Sequence, residues 1–103
     1  MEKLYKKVSI IGAGTWGLAI ASHISLKTSV DLIHYRNDFL KILEDTRKHP
    51  NISNFSIPEN ILMNYSRVIE SDLCIVATPV QYIREIFDYI SIAKKKPILI
   101  LLT

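Results

Sequence analysis

The chain has three glycines, Gly12, Gly14 and Gly17, and all of them lie in one stretch, VSIIGAGTWGLAIA, running from Val8 to Ala21. Their spacing is G-x-G-x-x-G. The first glycine of such a pattern permits a tight turn out of a strand. The second lets the backbone approach a pyrophosphate with no Cβ in the way, and the third lets a helix pack closely on the strand. The helix that follows offers unpaired N–H groups and the positive end of its dipole to phosphate oxygens. The chemistry expected of these residues is therefore capture of a pyrophosphate. That expectation requires a strand before the glycines, a helix after them, and a second strand ending about 20 residues further on.

The elements needed to position the turn are legible in the residue pattern. KKVSII, ending at Ile11, is short, β-branched and closed by glycine, as a strand should be. Thr15 to Leu26 is expected to be helical, with Trp16, Ala19, Ile20 and Ile24 on one face. VDLIHY (30–35) forms a second strand. A second helix is expected to start at Asn37 or Asp38 as its cap, to turn Phe39, Ile42 and Leu43 inward, and to stop near His49, because the residue before Pro50 is pushed out of the α region. NISNFSIPEN (51–60) is a loop and ILMNY (61–65) a weak strand. DLCIVAT (72–78) is almost continuously apolar, as a parallel strand covered on both faces should be, and Pro79 breaks it. Gln81 to Ile92 carries a helical stripe of Tyr82, Ile83, Ile86, Phe87 and Ile90, and PILILLT (97–103) is a last strand. The order β-α-β-α-β-β-α-β implies a Rossmann-type α/β fold. This is a doubly wound, mainly parallel sheet with helices on both faces, whose ligand sits at the carboxyl ends of the strands beside the first one. A protein-kinase glycine loop has the same spacing but lies between two strands, which the helical LAIASHIS excludes.

The end of the second strand bears on which dinucleotide is bound. An NAD site places Asp or Glu there to accept the ribose 2′-hydroxyl, whereas this strand ends in Tyr35–Arg36. Asp31 lies toward the other end of the strand, and Asp38 comes late and reads as a helix cap. Arg36 can pair with a 2′-phosphate and stack on adenine, which favours NADP over NAD.

The bulk properties restrict the other function classes. At 103 residues and 49% apolar composition, the chain makes a single domain, 1–103, with a real core. Its net charge of +3 is scattered, with no basic stripe for nucleic acid, and Lys94–Lys96 reads as a solvated helix end and turn. The one cysteine, Cys74, rules out an internal disulfide and suits a reducing cytoplasm. No apolar run approaches the roughly 20 residues that span a bilayer, so membrane insertion is not expected. His23 and His34 have no metal-ligand spacing and read as structural, and His49 as a loop residue.

Four segments in order, IIGAGTWGLAIA, HYR, SIPENI and SDLCIVATPVQYIREIF, resemble the N-terminal domain of bacterial NAD(P)-dependent glycerol-3-phosphate dehydrogenases, over essentially the whole chain. GAGTWG and ATPVQ are the most specific pieces. The resemblance implies interconversion of dihydroxyacetone phosphate and sn-glycerol 3-phosphate by hydride transfer, supplying phospholipid synthesis, with NADP or NAD as cofactor. The partners implied are that dinucleotide and a small phosphorylated substrate, with a homodimer left open. It implies that Thr15 and Trp16 contact the cofactor, alongside Gly12, Gly14 and Gly17, that Arg36 faces the adenosine phosphate, and that Pro79 shapes the wall near the nicotinamide. The Thr15 hydroxyl can donate to a phosphate oxygen, and Trp16 reads equally as a hydrophobic plug at the helix start. In the family, Lys–Gly follows the strand matched by PILILLT, and a larger helical domain supplies another catalytic lysine and the substrate-phosphate site. Thr103 precedes all of these. No catalytic residue is therefore assigned, and the chain alone is expected to be inactive. The alternatives are a stand-alone, non-catalytic NAD(P)-binding module or an inactive remnant of a related dehydrogenase.

Overall fold

A computed structural model describes residues 7–92 and 98–101. Five strands, β1 (Lys7–Ile11), β2 (Ser29–Ile33), β3 (Ile61–Met63), β5 (Leu73–Val76) and β7 (Ile98–Leu101), form one sheet in the order β3-β2-β1-β5-β7. Every pairing in it is parallel. The helices are α1 (Thr15–Ile24), α2 (Asn37–Thr46) and α3 (Ile83–Tyr89), the last preceded by a 3-10 turn at Val80–Tyr82. This is the expected Rossmann-type α/β fold. The chain runs outward from β1 to β3 on one side, then crosses back to β5 on the other. The order therefore reverses between β1 and β5, where a crevice opens at the carboxyl ends of the strands.

Alternation along β1 explains the layering. Val8 and Ile10 project to one face and join Leu18 and Ala21 of α1, Leu40 and Leu43 of α2, and Val30, Leu32, Ile61 and Ile75 of the neighbouring strands. Ile11 projects to the other face with Ile33, Cys74 and Val76, and meets Ile86 of α3. Ser9, on that second face, is buried and hydrogen-bonds the Ser71 hydroxyl at 2.6 Å. Because Ser71 donates to the Leu73 carbonyl (3.0 Å), Ser9 is the donor of the pair. β7 lies at the margin of the sheet, and its Ile98, Leu99 and Ile100 are exposed.

Several expectations are corrected. The inward face of α1 is Gly17, Leu18 and Ala21, not the face bearing Trp16 and Ala19, which are exposed. Gly17 permits the close approach to the glycine turn, Leu18 and Ala21 fill the core beside it, and Ile20 and Ile24 pack at its margin. In α2 the buried positions are Leu40 and Leu43, while Ile42 is exposed. Neither Asn37 nor Asp38 caps α2. Arg36 holds the cap position without a side-chain capping bond, and Asp38 lies in the first turn at the positive dipole end, where its carboxylate accepts the Phe39 N–H at 2.9 Å. The helix ends before His49 because Arg47 turns left-handed (φ 54°), its guanidinium donating to the Pro58 (2.6 Å) and Ile61 (3.1 Å) carbonyls. The last helix is shorter than expected. Ile90 is extended, and Ser91–Ile92 form β6, pairing in parallel with a strand not anticipated, β4 (Val68–Ile69). Lys6, Lys94–Lys96, Pro97, Leu102 and Thr103, which the expected first strand, turn and last strand include, lie outside the described residues.

Cys74 lies in the centre of β5, fully buried, and burial pushes its thiol up to about 12. At pH 8 the thiolate fraction is then on the order of 10⁻⁴, against roughly a quarter for an ordinary thiol. Iodoacetamide is expected to label Cys74 at least about a hundredfold more slowly in native buffer than in denaturing urea. Equal rates would show that the sheet opens freely at β5.

Candidate functional site

The glycine turn is built by three backbone ties at the ends of adjacent strands. The Gly12 N–H donates to the Ile33 carbonyl (2.7 Å), which carries the β1–β2 ladder one step beyond the strands. The Ala77 N–H and the Thr78 hydroxyl both donate to the Ile11 carbonyl, at 2.8 and 3.1 Å. The turn is thus anchored to β2 on one side and β5 on the other.

Each glycine has a different physical task. Gly12 has φ +120°, a conformation that L side chains rarely adopt, and a Cβ there would stand 2.5 Å from the Ala77 carbonyl oxygen. Gly17, inside α1, lies against the Gly12 carbonyl oxygen so closely that a Cβ would overlap it. Gly14 has ordinary extended backbone (φ −76°, ψ −174°), and a Cβ there would meet nothing within 4 Å. Two glycines are therefore required by the protein's own packing, and the third leaves open space. Gly14 caps α1, a ten-residue helix with no acidic residue in its first turn. The N–H groups at that end are free of competing negative charge from their own helix.

In front of the turn is a cleft of about 210 Å³, lined by Gly12, Ala13 and Gly14, by His34 and Tyr35 after β2, and by Ala77, Thr78, Pro79 and Tyr82 after β5. Its walls are mostly apolar and carry no acid. Tyr35 and Tyr82 face each other across its mouth with near-parallel rings, centroids 5.8 Å apart. Burial pushes the His34 imidazole below its ordinary pKa, and the Arg36 N–H donates to His34 Nδ1 at 3.1 Å. A second hollow, of about 420 Å³, is lined by Lys7, Asp31, Asn64, Tyr65 and Glu70 among others. Burial raises the Asp31 carboxyl there, against the opposing pull of the Asn64 amide, which donates to it at 2.6 Å. None of the expected site residues lines that hollow.

Of those residues, Gly12, Gly14 and Pro79 line the cleft. Gly17 is buried behind the turn and shapes it without facing the ligand space. Thr15 and Trp16 occupy the first turn of α1 next to Gly14, both exposed. Trp16 is 61% exposed, so it is not a hydrophobic plug. Arg36 lies beyond the cleft lining, and its Nε and Nη2 donate to the two carboxylate oxygens of Asp38 at 3.2 and 2.9 Å. This bond raises the guanidinium and lowers the carboxyl from their ordinary values. Both side chains are largely exposed, at 57% and 69%. Thr78 and Tyr82 were not identified from the sequence as site residues. A threonine beside Pro79 was the only available signal for the first, and Tyr82 read as part of a core stripe. His49 is indeed in a loop, but it is buried and bonded to the turn.

A parallel sheet whose order reverses beside a glycine turn, with a bare helix N-terminus aimed across the crevice, defines the class of Rossmann-type nicotinamide-dinucleotide-binding domains. The family described as NAD-dependent glycerol-3-phosphate dehydrogenase N-terminus matches residues 7–103, and the chain belongs to it. It is 31% identical over 81 residues to the glycerol-3-phosphate dehydrogenase (NAD(P)+) of Wolbachia sp. subsp. Brugia malayi, covering 77% of this chain and 25% of that protein. It is 32% identical over 87 residues to the enzyme of the same name from Thermoanaerobacter sp., covering 80% of this chain and 26% of that one. The chain thus spans about a quarter of the length of the curated relatives it matches.

The glycines make separable predictions. Gly17→Ala and Gly12→Ala are each expected to cost about 3 kcal/mol or more of stability, because backbone must move to admit the methyl group. Gly14→Ala is expected to remain within about 1 kcal/mol of the parent by urea denaturation while losing dinucleotide affinity. A Gly14→Ala protein that is folded and binds dinucleotide normally would show that nothing approaches the turn at that point.

Proposed function

We propose that this chain is the cofactor-binding part of a glycerol-3-phosphate dehydrogenase, holding NADP(H) or NAD(H) across the cleft at Gly12–Gly17. The observation that carries this reading is the contrast among the glycines: Gly12 and Gly17 are required by internal packing, whereas Gly14, at the cap of α1, leaves open space in which a ligand can come close to the backbone. The residues suit such a group. Gly14, Thr15 and Trp16 present the first N–H groups of α1 to the pyrophosphate, the Thr15 hydroxyl adds a donor, and the apolar wall at Ala77–Pro79 excludes water where the nicotinamide would approach. Tyr35 and Tyr82, already stacked on each other with centroids 5.8 Å apart, offer an aromatic surface beside which a planar base can lie.

The Arg36–Asp38 pair shapes the choice between the two dinucleotides. Arg36 keeps guanidinium donors beyond the two that Asp38 uses, so a 2′-phosphate has a cation already oriented for it. The Asp38 carboxylate can in turn accept the 2′-hydroxyl of NAD. The pair therefore accounts for acceptance of both, with NADP favoured.

The bound dinucleotide would exchange a hydride with the substrate carbon, interconverting dihydroxyacetone phosphate and sn-glycerol 3-phosphate, and the latter would serve phospholipid synthesis in the cytoplasm. Hydride transfer also needs the acceptor carbonyl held close and polarised by a cation or acid. The cleft lining has no lysine or arginine, and burial pushes the His34 imidazole below its ordinary pKa. Polarisation of the carbonyl and the substrate-phosphate site accordingly fall to parts of the enzyme beyond this domain.

Trp16, the single tryptophan, makes the reading directly testable. Titration of the folded chain with NADPH and then NADH is expected to quench its fluorescence saturably, with the tighter curve for NADPH. Absence of any change in a folded chain would overturn the proposal. Arg36→Asp is expected to shift the ratio of NADPH to NADH affinities toward NADH by about tenfold, the scale of one charge-assisted hydrogen bond. The isolated chain is expected to show no oxidation of NADPH dependent on dihydroxyacetone phosphate.

A further inference from the structure

His49 lies in the loop after α2, yet it is only 4% exposed and reaches back across 36 residues of sequence to the glycine turn. Its Nδ1 receives the Asn51 N–H at 3.0 Å. A nitrogen that accepts from a backbone amide carries a lone pair, so the ring hydrogen of the neutral imidazole is on Nε2. Nε2 is 3.1 Å from the Ala13 carbonyl oxygen, which can only accept. The two partners are therefore mutually consistent and define a single tautomer, with Nε2–H donating to Ala13. The edge of the ring packs on Phe39, centroids 5.7 Å apart at 81°, which sets the plane of the imidazole.

The Ala13 carbonyl shares one planar, trans peptide unit with the Gly14 N–H, so fixing the oxygen fixes the whole plane, and the N–H points away from the imidazole. That plane is the last one before α1 begins. We propose that His49 is a positioning residue for pyrophosphate binding: it holds the Ala13–Gly14 peptide in the orientation from which the N–H groups at the start of α1 meet the phosphates. This rests on the dinucleotide reading above. A buried imidazole is a costly way to fill space that leucine could fill. Its specific product is a donor placed on a buried carbonyl of the turn, a position that lies between strand and helix ladders.

Two variants of the full chain test this. His49→Leu keeps the volume and removes the donor, and His49→Gln restores an N–H near the position of Nε2. With folding verified by circular dichroism and a cooperative melt, His49→Leu is expected to weaken NADPH binding, read from Trp16 fluorescence, by about tenfold. His49→Gln is expected to return affinity to within about threefold of the parent. Adenosine 2′-monophosphate, which has no pyrophosphate, is expected to compete with unchanged affinity in both. Full NADPH affinity in folded His49→Leu would overturn this inference alone. Equal losses for NADPH and adenosine 2′-monophosphate would also overturn it, by showing a general structural role. Failure of the parent itself to bind NADPH would overturn the dinucleotide reading and this inference with it. If His49→Leu does not fold, His49→Gln and the ¹⁵N shifts of the parent imidazole decide. A ring protonated on Nδ1 at neutral pH would overturn the proposal, and the Nε2–H tautomer with near-parental binding by His49→Gln would uphold it.

Discussion

Everything at the functional end of this molecule depends on the contact between Gly17 and the carbonyl of Gly12. A helix can follow a strand in many directions, but here it crosses so near its own entry turn that no side chain fits between them. This closeness tilts the start of α1 toward the crevice between β1 and β5. It also commits Leu18 and Ala21 to the sheet, because a helix held that tightly can bury only its narrow face. The turn is then locked from outside itself, by β2 through Gly12, by β5 through Ala77 and Thr78, and by the loop after α2 through His49. A phosphate-binding turn needs such bracing, since backbone N–H groups act as a preorganised site only when they do not have to reorient on binding.

The two faces of the sheet are used differently. One is covered by α1 and α2 and is uniformly apolar. The other combines an apolar patch under α3 with the buried Ser9–Ser71 pair and the Asp31–Asn64 bond. The crevice itself is lined by backbone, small side chains and aromatic rings. Charge stands at the rim, where Arg36 pairs with Asp38 and Arg67 donates to the Tyr35 carbonyl. A binding site of this type recognises its ligand's phosphates through dipoles and leaves the reactive end in an apolar, water-poor environment.

The sequence was most readable where local rules and tertiary demands agree. The glycine turn, β1, β2, β5 and the parallel order were legible because a β-branched run, a G-x-G-x-x-G spacing and alternating segments each have few physical solutions. It was least readable where a partner far along the chain decides the outcome. Ser91 and Ile92 continue a helical stripe in sequence, but they leave the helix because Val68 and Ile69 offer a strand to pair with. Asp38 has the sequence position of a cap, yet its carboxylate is taken by Arg36. Trp16 has the composition of a core residue and is exposed, because Gly17 already occupies the only close approach to the sheet.

The sequence by itself determined the fold class, the location of the turn and the identity of its glycines, since these follow from backbone sterics and periodicity over short distances. The tertiary structure alone decided the rest. Gly14 is the glycine that faces open space, Tyr82 stands opposite Tyr35, and His49 braces the Ala13 carbonyl. Each of these joins residues dozens of positions apart, and no local pattern encodes which buried donor will meet which buried acceptor until the strands have assembled.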